Sequence, residues 1–145
     1  QDGGESMAAI YMWTHVLSVE NFYAEYRKRI MNKFVLSAAE TDVLMFLANN
    51  PGFDTASHIS KIRKIPKSQV SLAVNSLCEK GLLVGVFTQN NKKSIHLSPT
   101  DKAQPITDYG KTVQKEFICA LFNGFSDEEI AEFKRLYTKI SDNIR

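Results

Sequence analysis

Apolar residues recur at helical spacing along most of this chain, and one stretch breaks the pattern. Ile10, Trp13 and Leu17, followed by Phe22, Tyr26 and Ile30, keep a helical period from about Met7 to Phe34, with a break expected near Ser18 to Asn21. Ser37-Ala38-Ala39-Glu40 is a capping box that opens a second helix with Val43, Leu44, Phe46 and Leu47 on its core face. Asn49-Asn50-Pro51-Gly52 closes that helix. Thr55 is placed to cap a short helix carrying Ile59 and Ile62, and Ile65-Pro66 restarts the chain. A further helix follows with Val70, Val74 and Leu77 on one face, ended by Gly81. From Leu82 to Thr88 and from Ser94 to Leu97 the residues favour strand, and the Asn-rich link between them suits a hairpin. Helical spacing then returns. Ser98-Pro99-Thr100-Asp101 opens a helix that admits Pro105 only near its first turn and ends on Phe117, Ile118, Leu121 and Phe122. After Gly124, a second capping box, Ser126-Asp127-Glu128-Glu129, starts a last helix striped by Ile130, Phe133, Leu136, Tyr137 and Ile140.

The predicted order is helix, helix, helix-turn-helix, hairpin, helix, helix: a mainly α domain with a small β-hairpin wing. The polar side of the helix from Lys67 to Lys80 carries the informative chemistry. Ser68, Leu72, Asn75 and Glu79 share one face, with Gln69 and Ser71 at its margins. Short hydroxyl and amide groups with one apolar side chain suit a helix that reads base edges in a major groove, although an ordinary solvated helix face has a similar make-up.

Length and composition fit one globular domain: 145 residues, of which 43% are hydrophobic and 23% charged. No apolar run reaches membrane-spanning length and no signal peptide precedes Met7, so the chain reads as cytoplasmic and without a membrane partner. Residues 1–6 read as a tag remnant or a disordered segment, and 7–145 as a single domain. The net charge is only +2, but seven basic residues stand against Glu79 alone between Thr55 and Ser98, giving that segment +6 and leaving −4 for the rest. A basic middle in an acidic remainder is what a phosphate-binding segment looks like.

Enzyme chemistry has no foothold. The chain contains no glycine-rich phosphate loop, nucleophile elbow or paired metal-ligand spacing, and no cofactor or metal is expected. His15, His58 and His96 are scattered, and Cys78 and Cys119 lie on predicted helices, where a free cysteine usually packs as a small hydrophobe. Aromatic residues are dense in the first helix. They suit core or subunit interface, with Tyr11, Trp13 and His15 as candidate contacts to a small ligand.

Several landmarks in order give the chain a resemblance to the MarR family of winged-helix regulators. Leu36-Ser37 before Glu40 and Val43-Leu44 resembles the family's helix-opening pattern, and Thr55-Ala56-Ser57 with Ile59 its next start. Leu77-Cys78-Glu79-Lys80-Gly81-Leu82-Leu83 resembles the close of its recognition helix, Leu97-Ser98-Pro99 the return of its wing, and Phe125 to Glu129 the opening of its last helix. The resemblance implies a homodimer held by helices from 7–34 and 99–145, with a winged helix-turn-helix at 36–98 set against successive major grooves of double-stranded DNA. It also implies a regulator, commonly a repressor, that answers to a small-molecule effector. Carried onto this sequence, DNA contacts fall to Thr55, Lys67, Ser68, Gln69, Ser71, Leu72 and Asn75, and on the wing to Gln89, Asn91, Lys92 and Lys93. The family's wing usually carries an Asp-x-Arg element, whereas this chain has neither Asp nor Arg between Glu79 and Thr100. Lysine lacks the planar fork of arginine, so wing readout should be weaker or differently aimed. That departure and Leu72 motivate the alternative of a winged-helix protein-interaction module with weak or lost DNA binding.

Overall fold

Local capping rules fix most helix boundaries. The computed structural model describes the backbone of residues 2–88 and 91–144 and, within them, all side chains except those of residues 2–8, 88 and 91–93. The elements are α1 (Asp2–Phe34), α2 (Ala38–Asn49), α3 (Ala56–Arg63), α4 (Lys67–Glu79), β1 (Leu83–Thr88), β2 (Asn91–Pro99), a 3-10 turn (Asp101–Ala103), α5 (Gln104–Leu121) and α6 (Asp127–Asn143). Among the described residues no helix is long and apolar enough to cross a membrane. Both capping boxes form. Ser37 Oγ accepts from Glu40 N–H while Glu40 accepts from Ser37 N–H, and Ser126 and Glu129 do the same. Thr55 caps α3 by accepting from His58 N–H, and Pro105 lies in the first turn of α5.

The expected break near Ser18 to Asn21 is absent, and α1 runs through it. Neither Pro nor Gly interrupts that stretch, and Ser18 Oγ donates to Thr14 C=O one turn back, a bond compatible with an unbroken helix. Helix α4 stops at Glu79, with Lys80 as its C-cap, before Gly81 takes a left-handed φ of 74°.

The chain forms two compact units, one up to Gln114 and one from Lys115. In the first, Ile30, Val43, Leu44, Ile59, Val70, Leu77 and Val113 are fully buried in one core, each worth about 2 kcal/mol of burial. Helix α2 lies at its centre. Met45, outside the apolar face read from the sequence, is buried too, because a Cβ on Gly110 would overlap its sulfur: α5 passes α2 closely there. Ile62, expected beside Ile59, is half exposed.

Polar bonds tie the helices of this unit. Asp42 on α2 takes Arg27 of α1 at 2.9 Å and Arg63 of α3 at 3.5 Å. Gln114 accepts from Asn49 and donates to the Tyr23 hydroxyl, linking α5 to α2 and α1. The capping-box carboxylate of Glu40 also reaches the far end of α4, accepting from Ser76 Oγ at 2.9 Å and from Lys80 Nζ at 2.8 Å. Burial pushes the Glu40 carboxyl up, but the bonds from Lys80, the Ser37 amide, Ser76 and the Ser37 hydroxyl outweigh it and hold the pKa at about 2.

Val35, between α1 and α2, has φ 55° and is 83% exposed. A β-branched residue in the left-handed region is strained, and this side chain packs little in return. Val35→Asn is therefore expected to raise stability by about 1 kcal/mol, a few degrees in melting temperature. An unchanged or lower thermal midpoint would show that the turn carries no such strain.

In the second unit, the end of α5 meets α6 through Phe122, which makes edge contacts with Phe125 and Phe133 at 5.4 Å. No residue of α6 is buried. Phe133, Leu136, Tyr137 and Ile140 form a half-exposed apolar stripe.

Candidate nucleic-acid interface

Helices α3 and α4 and the hairpin form one surface of the first unit. The turn between the helices is made by Lys64, in the left-handed region at φ 56°, and by Pro66, the N-cap of α4, whose C=O accepts from Gln69 and Val70 N–H. Ser60 Oγ donates to Ile65 C=O and closes the turn. Val70, Ala73 and Leu77 anchor α4 in the core, which leaves its opposite side in solvent: Ser68, Gln69, Ser71, Leu72, Asn75 and Glu79 are all exposed. Leu72 is 70% exposed, an unusual place for an isobutyl group. Lys61, Lys64 and Lys67 stand exposed around the turn, so the ends of the two helices share a positive rim.

The hairpin pairs antiparallel, with Gly85 opposite Leu97 and Phe87 opposite Ile95. It is fastened to the loop before α3 by two bonds from Asp54, whose C=O accepts from Leu97 N–H at 2.7 Å and whose carboxylate lies 2.7 Å from His96 Nδ1. Gly85 supplies room: a Cβ there would come within 2.6 Å of the Ile95 side chain. Ile95 and Phe87 thus wall one side of a groove of about 400 Å³.

Four of the expected contacts converge on this groove: Thr55, Lys67, Ser71 and Asn75. Thr55 serves α3 as a cap at the same time. Gln69 and Leu72 lie on the other flank of α4, beside a shallower recess shared with Ser37 and Ala39 at the start of α2. Gln89 lies outside the described residues, as do the side chains of Asn91, Lys92 and Lys93. Sequence spacing missed Phe87, Ile95 and Cys78 as parts of the groove. Alternating apolar residues around Gly85 are the signal that could have found the first two. Cys78 and Cys119 are exposed, contrary to the expectation for cysteines on packed helices.

The candidate ligand contacts do not form a cluster in this chain. Tyr11 and His15 stack one turn apart with ring centroids 4.0 Å from each other, and His15 Nδ1 lies 2.7 Å from Tyr11 C=O. Trp13 is on the other side of α1, in a shallow recess with Ala9, Met12 and Val16. Tyr11 and Trp13 are 62% and 70% exposed, so this chain's own packing does not enclose them.

Comparison with known proteins agrees with this geometry. The MarR family profile matches residues 36–94, from the capping box of α2 through most of β2. A candidate MarR family transcriptional regulator from Listeria monocytogenes, complexed with 26mer DNA, has the same fold at a TM-score of 0.80 and 21% identity, over 92% of this chain and 87% of that one. MepR of S. aureus, in a complex with DNA, superposes with a TM-score of 0.76 at 16% identity, over 93% of this chain and 96% of that one. BpsR of Bordetella bronchiseptica, whose DNA binding is regulated by 6-hydroxynicotinic acid, gives 0.63 at 18% identity, over 90% and 98%. No curated protein matches the sequence significantly.

Proposed function

We propose that this chain, whose residues 36–94 match the MarR family profile, is a member of that family: a homodimeric transcriptional regulator that binds double-stranded DNA and releases it in response to a small molecule, acting as a repressor. Family membership makes it a regulator and not an enzyme. The observation that carries the DNA proposal is the solvent-facing side of α4, where hydroxyl and amide groups lie between a lysine-bearing turn and the hairpin. Lysines hold phosphates without sequence preference, and the amides of Gln69 and Asn75 can read base edges. The half-exposed stripe of α6 and the exposed apolar residues of α1 support dimerisation. A BpsR whose DNA binding answers to 6-hydroxynicotinic acid supports an effector, for which Tyr11, Trp13 and His15 are the proposed contacts once a second subunit covers them.

Selection of random duplex DNA on the purified protein at two salt concentrations tests the DNA proposal. A two-fold symmetric motif with half-sites about one helical turn apart is expected. Gln69→Ala with Asn75→Ala should relax the motif, whereas Lys92→Ala with Lys93→Ala should weaken all duplexes alike and lower the salt slope by about one per lost phosphate contact. Binding indifferent to both changes would remove α4 and the hairpin as the DNA surface. Exposed Leu72 supports a second function, docking of a protein partner. A stoichiometric partner whose binding Leu72→Glu blocks, with no duplex bound at either salt, would favour it.

A further inference from the structure

Building on the proposal that α4 enters the major groove, we infer that each half-site is read there as A·T pairs and that Leu72 is the residue that recognises a thymine methyl group. Gln69, Leu72 and Asn75 are all exposed and follow one another at intervals of three residues, forming an inclined row that turns about 60° round α4 per member, from the flank of Gln69 past Leu72 to the groove side of Asn75. The row advances about 4.5 Å per member and spans about 9 Å, two to three base steps. Its chemistry is an amide, an isobutyl group and an amide. Carboxamides pair with adenine N6 and N7 through two hydrogen bonds, and an apolar side chain matches the methyl of thymine.

Guanine lacks a reader in this row. Its O6 and N7 are taken by arginine or lysine, and α4 carries only Lys67 within its first three turns. Lys67 stands about 140° round the helix from Leu72 and about 160° from Gln69, in the groove toward the hairpin that Asn75 also lines. Lys80, after the last turn, is bound to the Glu40 carboxylate and the Val35 carbonyl. Glu79 could accept from a cytosine amino group, but it lies about 10 Å further along the helix than Leu72, away from the N-terminal end that reaches base edges. Exposure of Leu72 at 70% then has a use, because its apolar surface leaves water when it meets a methyl.

Replacing each thymine of a selected duplex in turn by deoxyuridine removes the methyl and keeps every hydrogen-bonding group. At one position per half-site the wild type should lose about fourfold in affinity, and about fifteenfold when both half-sites are changed, from the burial of one methyl each. Leu72→Ala, at a position 70% exposed, should bind the two duplexes equally. Equal losses in both proteins, or no loss in the wild type, would overturn the role of Leu72 while leaving DNA binding intact. Selected half-sites with G·C pairs in the core would overturn the A·T readout and likewise leave the regulator proposal standing. No selected motif at all would overturn both.

Discussion

A fall in pH from 4.5 to about 2 is expected to remove up to about 3 kcal/mol of folding stability through Glu40 alone. In the unfolded chain this carboxyl titrates near 4.5, and in the folded protein it stays ionised down to about 2. Between those values the unfolded state binds a proton that the folded state refuses, so the stabilisation is complete above pH 4.5 and lost as pH falls through the folded value. Glu40 is buried but its partner Lys80 is 41% exposed, so solvent screens the pair in part and about 3 kcal/mol is the upper end of the effect. Glu40→Gln should be less stable by up to about 3 kcal/mol at neutral pH, up to about 10 °C in melting temperature. Urea titrations of the two proteins at a series of pH values provide the check. Their stabilities should converge as the pH approaches 2, and curves that stay parallel throughout would rule out the Glu40 contribution.

Phe133→Glu is expected to weaken the proposed homodimer by about three orders of magnitude. Phe133 lies at the middle of the α6 stripe, in contact with Phe122 and Tyr137, with 42% of its surface left open. A buried aromatic anchor is commonly worth about 2 kcal/mol or more at an interface, and two-fold symmetry enters each substitution twice, giving about 4 kcal/mol. Sedimentation equilibrium should show a dimer for the wild type and a monomer for the variant at micromolar concentration. Affinity for a two-half-site duplex should fall with it, because the second half-site is no longer delivered by the first. A variant that remains dimeric would exclude the α6 stripe from the interface.

Elements governed by neighbours three or four residues apart were legible in the sequence. Ser37 with Glu40 and Ser126 with Glu129 announce their helices because each bond of a capping box closes within one turn. Thr55, Pro66 and Gly81 mark the limits of the two central helices for the same reason. The exposed side of α4 was also legible from the spacing of Val70, Val74 and Leu77, although Val74 lies only partly buried and Ala73, one residue earlier, completes the buried face. What escaped was set by distance along the chain. Glu40 meets Lys80 forty residues later, and Asp54 meets His96 forty-two residues later, so no local pattern announces either pair. Met45 falls off the apolar stripe of α2 and is buried because Gly110, on another helix, leaves it room. The groove is of that kind too: its far wall depends on the pairing of β1 with β2, which places Ile95 over Gly85.

The unbroken course of α1 gives the first unit a lever arm. Arg27 near one end grips Asp42, which also holds Arg63 at the end of α3, next to the lysine-bearing turn. Trp13, out on the exposed part of the same helix, is about 21 Å away along the axis. A tilt of about 10° pivoting at Trp13 would carry the Arg27 grip roughly 4 Å sideways, about one base-pair step. Whatever settles against the aromatic end of α1 therefore has mechanical purchase on the turn proposed to meet the phosphates, through a single rod and one carboxylate.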